Sequence, residues 1–205
     1  EVIDGTGAPK FKSDIVIDKG KIIGVFPPEN GDARDPSENH FLSNFKAKHT
    51  INAENKIISP GFIDVHTHDD DNVFLDPSMS SKISQGVTTC VAGNCGISLA
   101  PFSYKGEVPA PIALLGKSEV FRFPRVSDYK EEFNNKPSSV NLALLTGHSM
   151  LRVEAMNGEF ARPATTKEIS KMVDKLKLAL EDGSIGLSTG LAYPAANDAP
   201  TSEII

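Results

Sequence analysis

Apolar and polar positions along the chain change their period twice. Near the N-terminus they alternate in twos. Asp14-Ile15-Val16-Ile17 and Lys21-Ile22-Ile23-Gly24-Val25 are β-branched runs, and Asp18-Lys19-Gly20 between them has the composition of a hairpin turn. Residues 27–50 lose the period: Pro27-Pro28, Gly31 and Asp35-Pro36 mark an irregular surface loop of unusual length. Residues 52–58 predict one more strand, and Pro60-Gly61 marks a boundary. Beyond it, short apolar strands at 62–66, 87–92, 140–145 and 185–187 alternate with helical segments at 77–85 and 166–182. In the last of these, Ile169, Met172, Val173, Leu176, Ala179 and Leu180 recur on one helical face. Thr165 with Glu168 forms a capping box there, and Gly183 supplies the stop. Strands alternating with helices predict an α/β fold with a parallel sheet or barrel over residues 60–205, preceded by a smaller β-rich part over residues 1–59.

Charge and composition narrow the possible partners. The net charge is −6 with 39% apolar residues and no basic cluster, which argues against nucleic acid. The longest apolar stretches are far shorter than the roughly 20 residues that span a bilayer. Cys90 and Cys95 are the only cysteines. Two do not make a disulfide framework, so a reducing, cytoplasmic setting is expected.

Four motifs carry candidate chemistry, and all lie at the C-terminal ends of strands, where barrels and open α/β sheets place their sites. In Pro60-Gly61-Phe62-Ile63-Asp64-Val65-His66-Thr67-His68, strand alternation points His66 and His68 the same way, so that they can share one cation. Asp64 shares that face and could orient a ligand. In Gly86-Val87-Thr88-Thr89-Cys90-Val91-Ala92-Gly93-Asn94-Cys95-Gly96, Cys95 follows the strand between two glycines, where a thiolate could bind zinc; by spacing alone, packing is an equal alternative. Cys90 alternates within the strand and reads as core. His148, in Thr146-Gly147-His148-Ser149, is either a site residue or a hydrogen-bonded residue at the start of the next helix. Arg152 could reach a substrate carboxylate, but reads rather as a helix-surface charge. Tyr193, after Gly186-Leu187-Ser188-Thr189-Gly190, could line a pocket or simply pack. His40 and His49 lack a partner at ligand spacing and read as solvated loop residues.

Taken in order with the opening Val2-Ile3-Asp4-Gly5-Thr6-Gly7, these motifs resemble the D-aminoacylase branch of the amidohydrolase superfamily, with Gly93-Asn94-Cys95-Gly96 the most discriminating. The resemblance covers nearly the whole chain except residues 27–50. It implies a (β/α)8 TIM-type barrel, here partial, preceded by part of a small β-sandwich. It implies zinc as cofactor, with His66, His68 and Cys95 as metal ligands, and Tyr193 and His148 near the substrate. The implied partner is a small N-acyl-D-amino acid, whose linear amide bond is hydrolysed to a carboxylate and a D-amino acid. By that resemblance the remaining histidines and the general-base aspartate are expected beyond residue 205, leaving no catalytic residue in this chain. The 205-residue chain alone is then expected to be poorly folded and inactive. A cyclic amidase of the hydantoinase or dihydroorotase kind would predict a lysine after the fourth strand, and none occurs between Ser184 and Pro194. A non-enzymatic scaffold would predict loss of the ligands, which are present.

Overall fold

The computed structural model describes residues 1–26, 46–105 and 107–205. They form two compact units, Glu1–Pro60 and Gly61–Ile205. In the first, β1 (Asp14–Asp18) and β2 (Lys21–Phe26) pair antiparallel across Lys19 and Gly20, both at positive φ, as a primed hairpin turn requires. The strand expected at 52–58 does not form. Asn55 takes positive φ in a turn, and only Ile58 bridges to Val2. The segment is polar where a strand needs an apolar face. His49 is exposed, while His40 and most of the loop at 27–50 lie outside the described residues.

In the second unit, β3 (Phe62–Asp64), β4 (Val87–Ala92) and β7 (Asn141–Leu144) form a parallel sheet in the order β3-β4-β7. One residue further on, β8 (Thr146–Gly147) pairs parallel with β9 (Leu187–Ser188). The strands follow one another in sequence order, as in the first part of a (β/α)8 barrel. Between β3 and β4 the expected helix at 77–85 shortens to α2 (Ser80–Ile83), which starts after Met79 in a left-handed conformation, and an unexpected short helix, α1 (Asn72–Leu75), lies ahead of it. Between β4 and β7 lies a β-hairpin, β5 (Phe102–Ser103) with β6 (Arg122–Phe123), and α3 (Val126–Asn135), none of which the hydrophobic pattern announces. After β8 come α4 (His148–Ala155), α5 (Thr166–Glu181) and, beyond β9, α6 (Thr201–Ile204). The capping box of α5 is present: Thr165 Oγ1 accepts from the Glu168 N–H, and Glu168 accepts from the Thr165 N–H. The core gathers Cys90, Ala92, Ile97, Leu99, Phe102, Tyr129, Val140, Leu144 and Met150 beneath the strand ends.

Candidate metal centre

β3 ends at Asp64, yet its ladder continues: the Thr67 N–H donates to the Val91 carbonyl (3.3 Å), and the Thr67 side chain is buried. With Thr67 turned inward, residues 66 and 68 face together. Their imidazole centroids lie 5.9 Å apart, edge to face. Cys95 joins them from the end of β4, its Sγ 3.0 Å from His66 Nε2. One donor atom from each of the three lies within 4.8 Å of the others. Cys90 is fully buried, and burial pushes its thiol pKa up.

The donor chemistry fits a zinc ion. Nitrogen and sulfur ligands at about 2.0–2.3 Å in tetrahedral geometry stand about 3.3–3.8 Å apart, which these separations reach with small side-chain rotations. His68 Nδ1 is buried with no hydrogen-bond partner, an atom in need of one. Desolvation, with the neighbouring His66, holds the His68 pKa down and favours the neutral imidazole a metal requires.

The acidic run after the histidines divides its labour. Lys82 on α2 binds Asp64 (2.6 Å) and Asp69 (2.9 Å). Asp64 therefore does not orient an imidazole; Oδ1 accepts the His66 backbone N–H at 3.3 Å and steadies the chain instead. Asp70 is fully buried, and its carboxylate accepts the N–H groups of Gly93 and Leu99, both at 3.3 Å. Burial outweighs those bonds and raises its pKa to about 7. The Tyr129 hydroxyl donates to the Asp70 carbonyl (2.6 Å). Asp70 thus fastens the histidine segment to the cysteine turn. In the sequence this run reads only as context for the histidines, and an acidic residue flanked by apolar strands is the available signal.

His148 is the first residue of α4 and is buried, with Nε2 2.9 Å from Glu203 Oε1. Desolvation lowers its pKa, against the pull of Glu203. Arg152 is not a surface charge: it is 0% exposed. Nearly all of α4 is buried, and the chain returns over it at 160–162 and 203. The Arg152 guanidinium donates to Glu203 (2.5 and 2.6 Å) and to the carbonyls of Phe160 and Arg162. Tyr193 is half-buried beside Gly190; a Cβ there would collide with the Cys95 carbonyl and with Tyr193 Cδ2, so glycine lets both approach.

The sequence matches the profile of the Amidohydrolase family over residues 49–203. The chain belongs to the amidohydrolase family. Among its amidohydrolase relatives, an N-acyl-D-aspartate deacylase of Alcaligenes xylosoxydans xylosoxydans is 41% identical over 204 residues, 100% of this chain and 38% of the relative. A D-aminoacylase of the same organism is 40% identical, over 100% of this chain and 39% of its own length. The crystal structure of a D-aminoacylase, described as defining a novel subset of amidohydrolases, superposes with a TM-score of 0.87 at 44% identity, covering 99% of this chain and 40% of that one. An N-acyl-D-glutamate deacylase from Bordetella bronchiseptica, solved with zinc and a phosphonate mimic of the tetrahedral intermediate, superposes at 0.86 with 38% identity, over 99% of this chain and 39% of its own. The chain therefore spans about two-fifths of the length of the relatives it matches. Among the described residues no helix is long and apolar enough to cross a membrane.

Proposed function

We propose that this chain carries the first part of the metal centre of a zinc-dependent deacylase, which cleaves the linear amide of N-acyl-D-amino acids into a carboxylate and a D-amino acid. The convergence of His66, His68 and Cys95 at the ends of adjacent parallel strands carries this reading. A zinc ion held there would supply Lewis acidity toward a carbonyl and toward water. The residues of this chain do the rest of what is assigned to it. The two imidazoles and the thiolate would hold the ion, Asp70 holds their two backbone segments together, and Tyr193 borders the approach to Cys95. His148, engaged by Glu203, braces α4.

The test is made on the full-length protein, with N-acetyl derivatives of D- and L-amino acids and with zinc measured by mass spectrometry. Release of the free amino acid from the D series, bound zinc, and loss of both in His66→Ala and Cys95→Ala are expected. Full activity and zinc content in both variants would overturn the assignment.

A further inference from the structure

Cys95 occupies a backbone position that cysteine rarely takes. The Ile97 N–H donates to the Asn94 carbonyl (3.0 Å), closing a turn whose central residues are Cys95 at φ 57° and Gly96 at φ 76°. Positive φ at both centres is the signature of a type I′ turn, whose first central residue is ordinarily Asn, Asp or Gly. Cysteine has no side-chain amide or carboxylate to favour the left-handed conformation, so the surroundings must impose it.

The imposing contacts are on either side of the turn. The Ser188 hydroxyl, from β9, donates to the Gly93 carbonyl (2.5 Å) and accepts the Gly96 N–H (3.0 Å). One oxygen thereby spans the peptide groups that flank Asn94 and Cys95. The remaining groups of those two glycines are also taken: the Gly93 N–H by Asp70, and the Gly96 carbonyl by the Ser149 N–H (2.9 Å). Asp70 also reaches past the cysteine, to Leu99, but of these partners only Ser188 binds both glycines that flank Asn94 and Cys95. We propose that Ser188 is a positioning residue, which holds the Cys95 turn in its left-handed form and so aims the thiolate at the site of His66 and His68. This rests on the reading of Cys95 as a metal ligand.

Without the hydroxyl, the Gly96 N–H loses its acceptor and the Gly93 carbonyl its donor, and the turn loses a restraint against relaxing toward negative φ. Relaxation swings Cβ, and with it Sγ, away from His66. The effect belongs to the thiolate ligand rather than to the fold. Ser184 serves as the comparator. It lies just ahead of β9, and its buried hydroxyl accepts from Thr146 Oγ1 (2.9 Å) and has its single proton within reach of the carbonyls of Leu144 and Gly186 (both 3.1 Å), without touching the turn.

The experiment loads the metal-free full-length protein with Co2+ and follows the sulfur-to-cobalt charge-transfer absorption during titration. Wild type is expected to show the band and Cys95→Ala to lack it. Ser188→Ala should bind cobalt roughly 10–100-fold more weakly, with a diminished band, the scale on which supporting residues of metal sites act. Ser188→Thr, which keeps the hydroxyl, should restore both. Ser184→Ala should lower thermal stability and leave the band intact. A wild-type band and affinity in Ser188→Ala would overturn the assignment of Ser188 while leaving Cys95 a ligand. A band absent from wild type, or retained by Cys95→Ala, would overturn the ligand reading and this one with it.

Discussion

Single residues show where polar chemistry hides from a hydrophobic pattern. His66 and His68 are legible because two imidazoles stand two residues apart after an apolar strand, whereas the spacing of Cys95 leaves packing an equal alternative and only the family resemblance singles it out. Arg152 is not, because its neighbours in sequence do not announce that Glu203, 51 residues away, will bury beside it. Both side chains are 0% exposed. Removing one member of such a pair leaves an uncompensated charge in the core, at a cost of about 3–5 kcal/mol. Arg152→Met in the full-length protein should therefore lower the urea midpoint strongly, and Arg152→Met combined with Glu203→Leu should recover part of the loss. If the single substitution moved the midpoint no more than a surface change does, the pair would not be buried in solution.

At the scale of elements, α5 can be read nearly to the residue, because periodicity, cap and stop agree. Local propensity and turn chemistry are consistent there, whereas the hairpin of β5 and β6 depends on tertiary packing of Phe102 against Phe121 and Tyr104. That packing leaves no period in so short a strand. The start of α5 is also where acidity should tell. Arg162 donates to both Glu168 oxygens (2.9 and 2.8 Å), and with the Thr165 N–H it holds the Glu168 pKa well below the ordinary glutamate value. A depressed folded-state pKa means the contribution is present above the unfolded-state value and is lost as pH falls toward the folded one. Glu168→Gln should thus narrow the stability gap between wild type and variant as pH drops below about 4, the unfolded glutamate range. Thr165→Ala should cost about 1 kcal/mol at neutral pH through the lost cap. Thermal melts from about pH 3 to pH 7, spanning that range, decide the matter: a gap that stays constant with pH would remove Glu168 from the account.

The molecule as a whole leaves apolar residues in and beside its strands in the open. Phe62, Ile63, Val65 and Ile185 are each more than half exposed. A few hundred Å² of such surface is worth several kcal/mol at about 25 cal/mol per Å², comparable to a domain's net stability of about 5–15 kcal/mol. The 205-residue chain produced by itself should bind a hydrophobic dye and melt without cooperativity; a sharp melt without dye binding would contradict this. The order of strands is legible from the sequence, since alternation of period marks β/α units, but the ties between strands are not. The Ser188 hydroxyl reaches Gly93 across 95 residues of chain. During synthesis at about 5–20 residues per second, the cysteine turn waits roughly 5–20 seconds for the serine that will hold it. For that interval the thiol belongs to a nascent chain rather than to a site, and its encounter with oxidants or stray metal ions is a matter of timing on the ribosome.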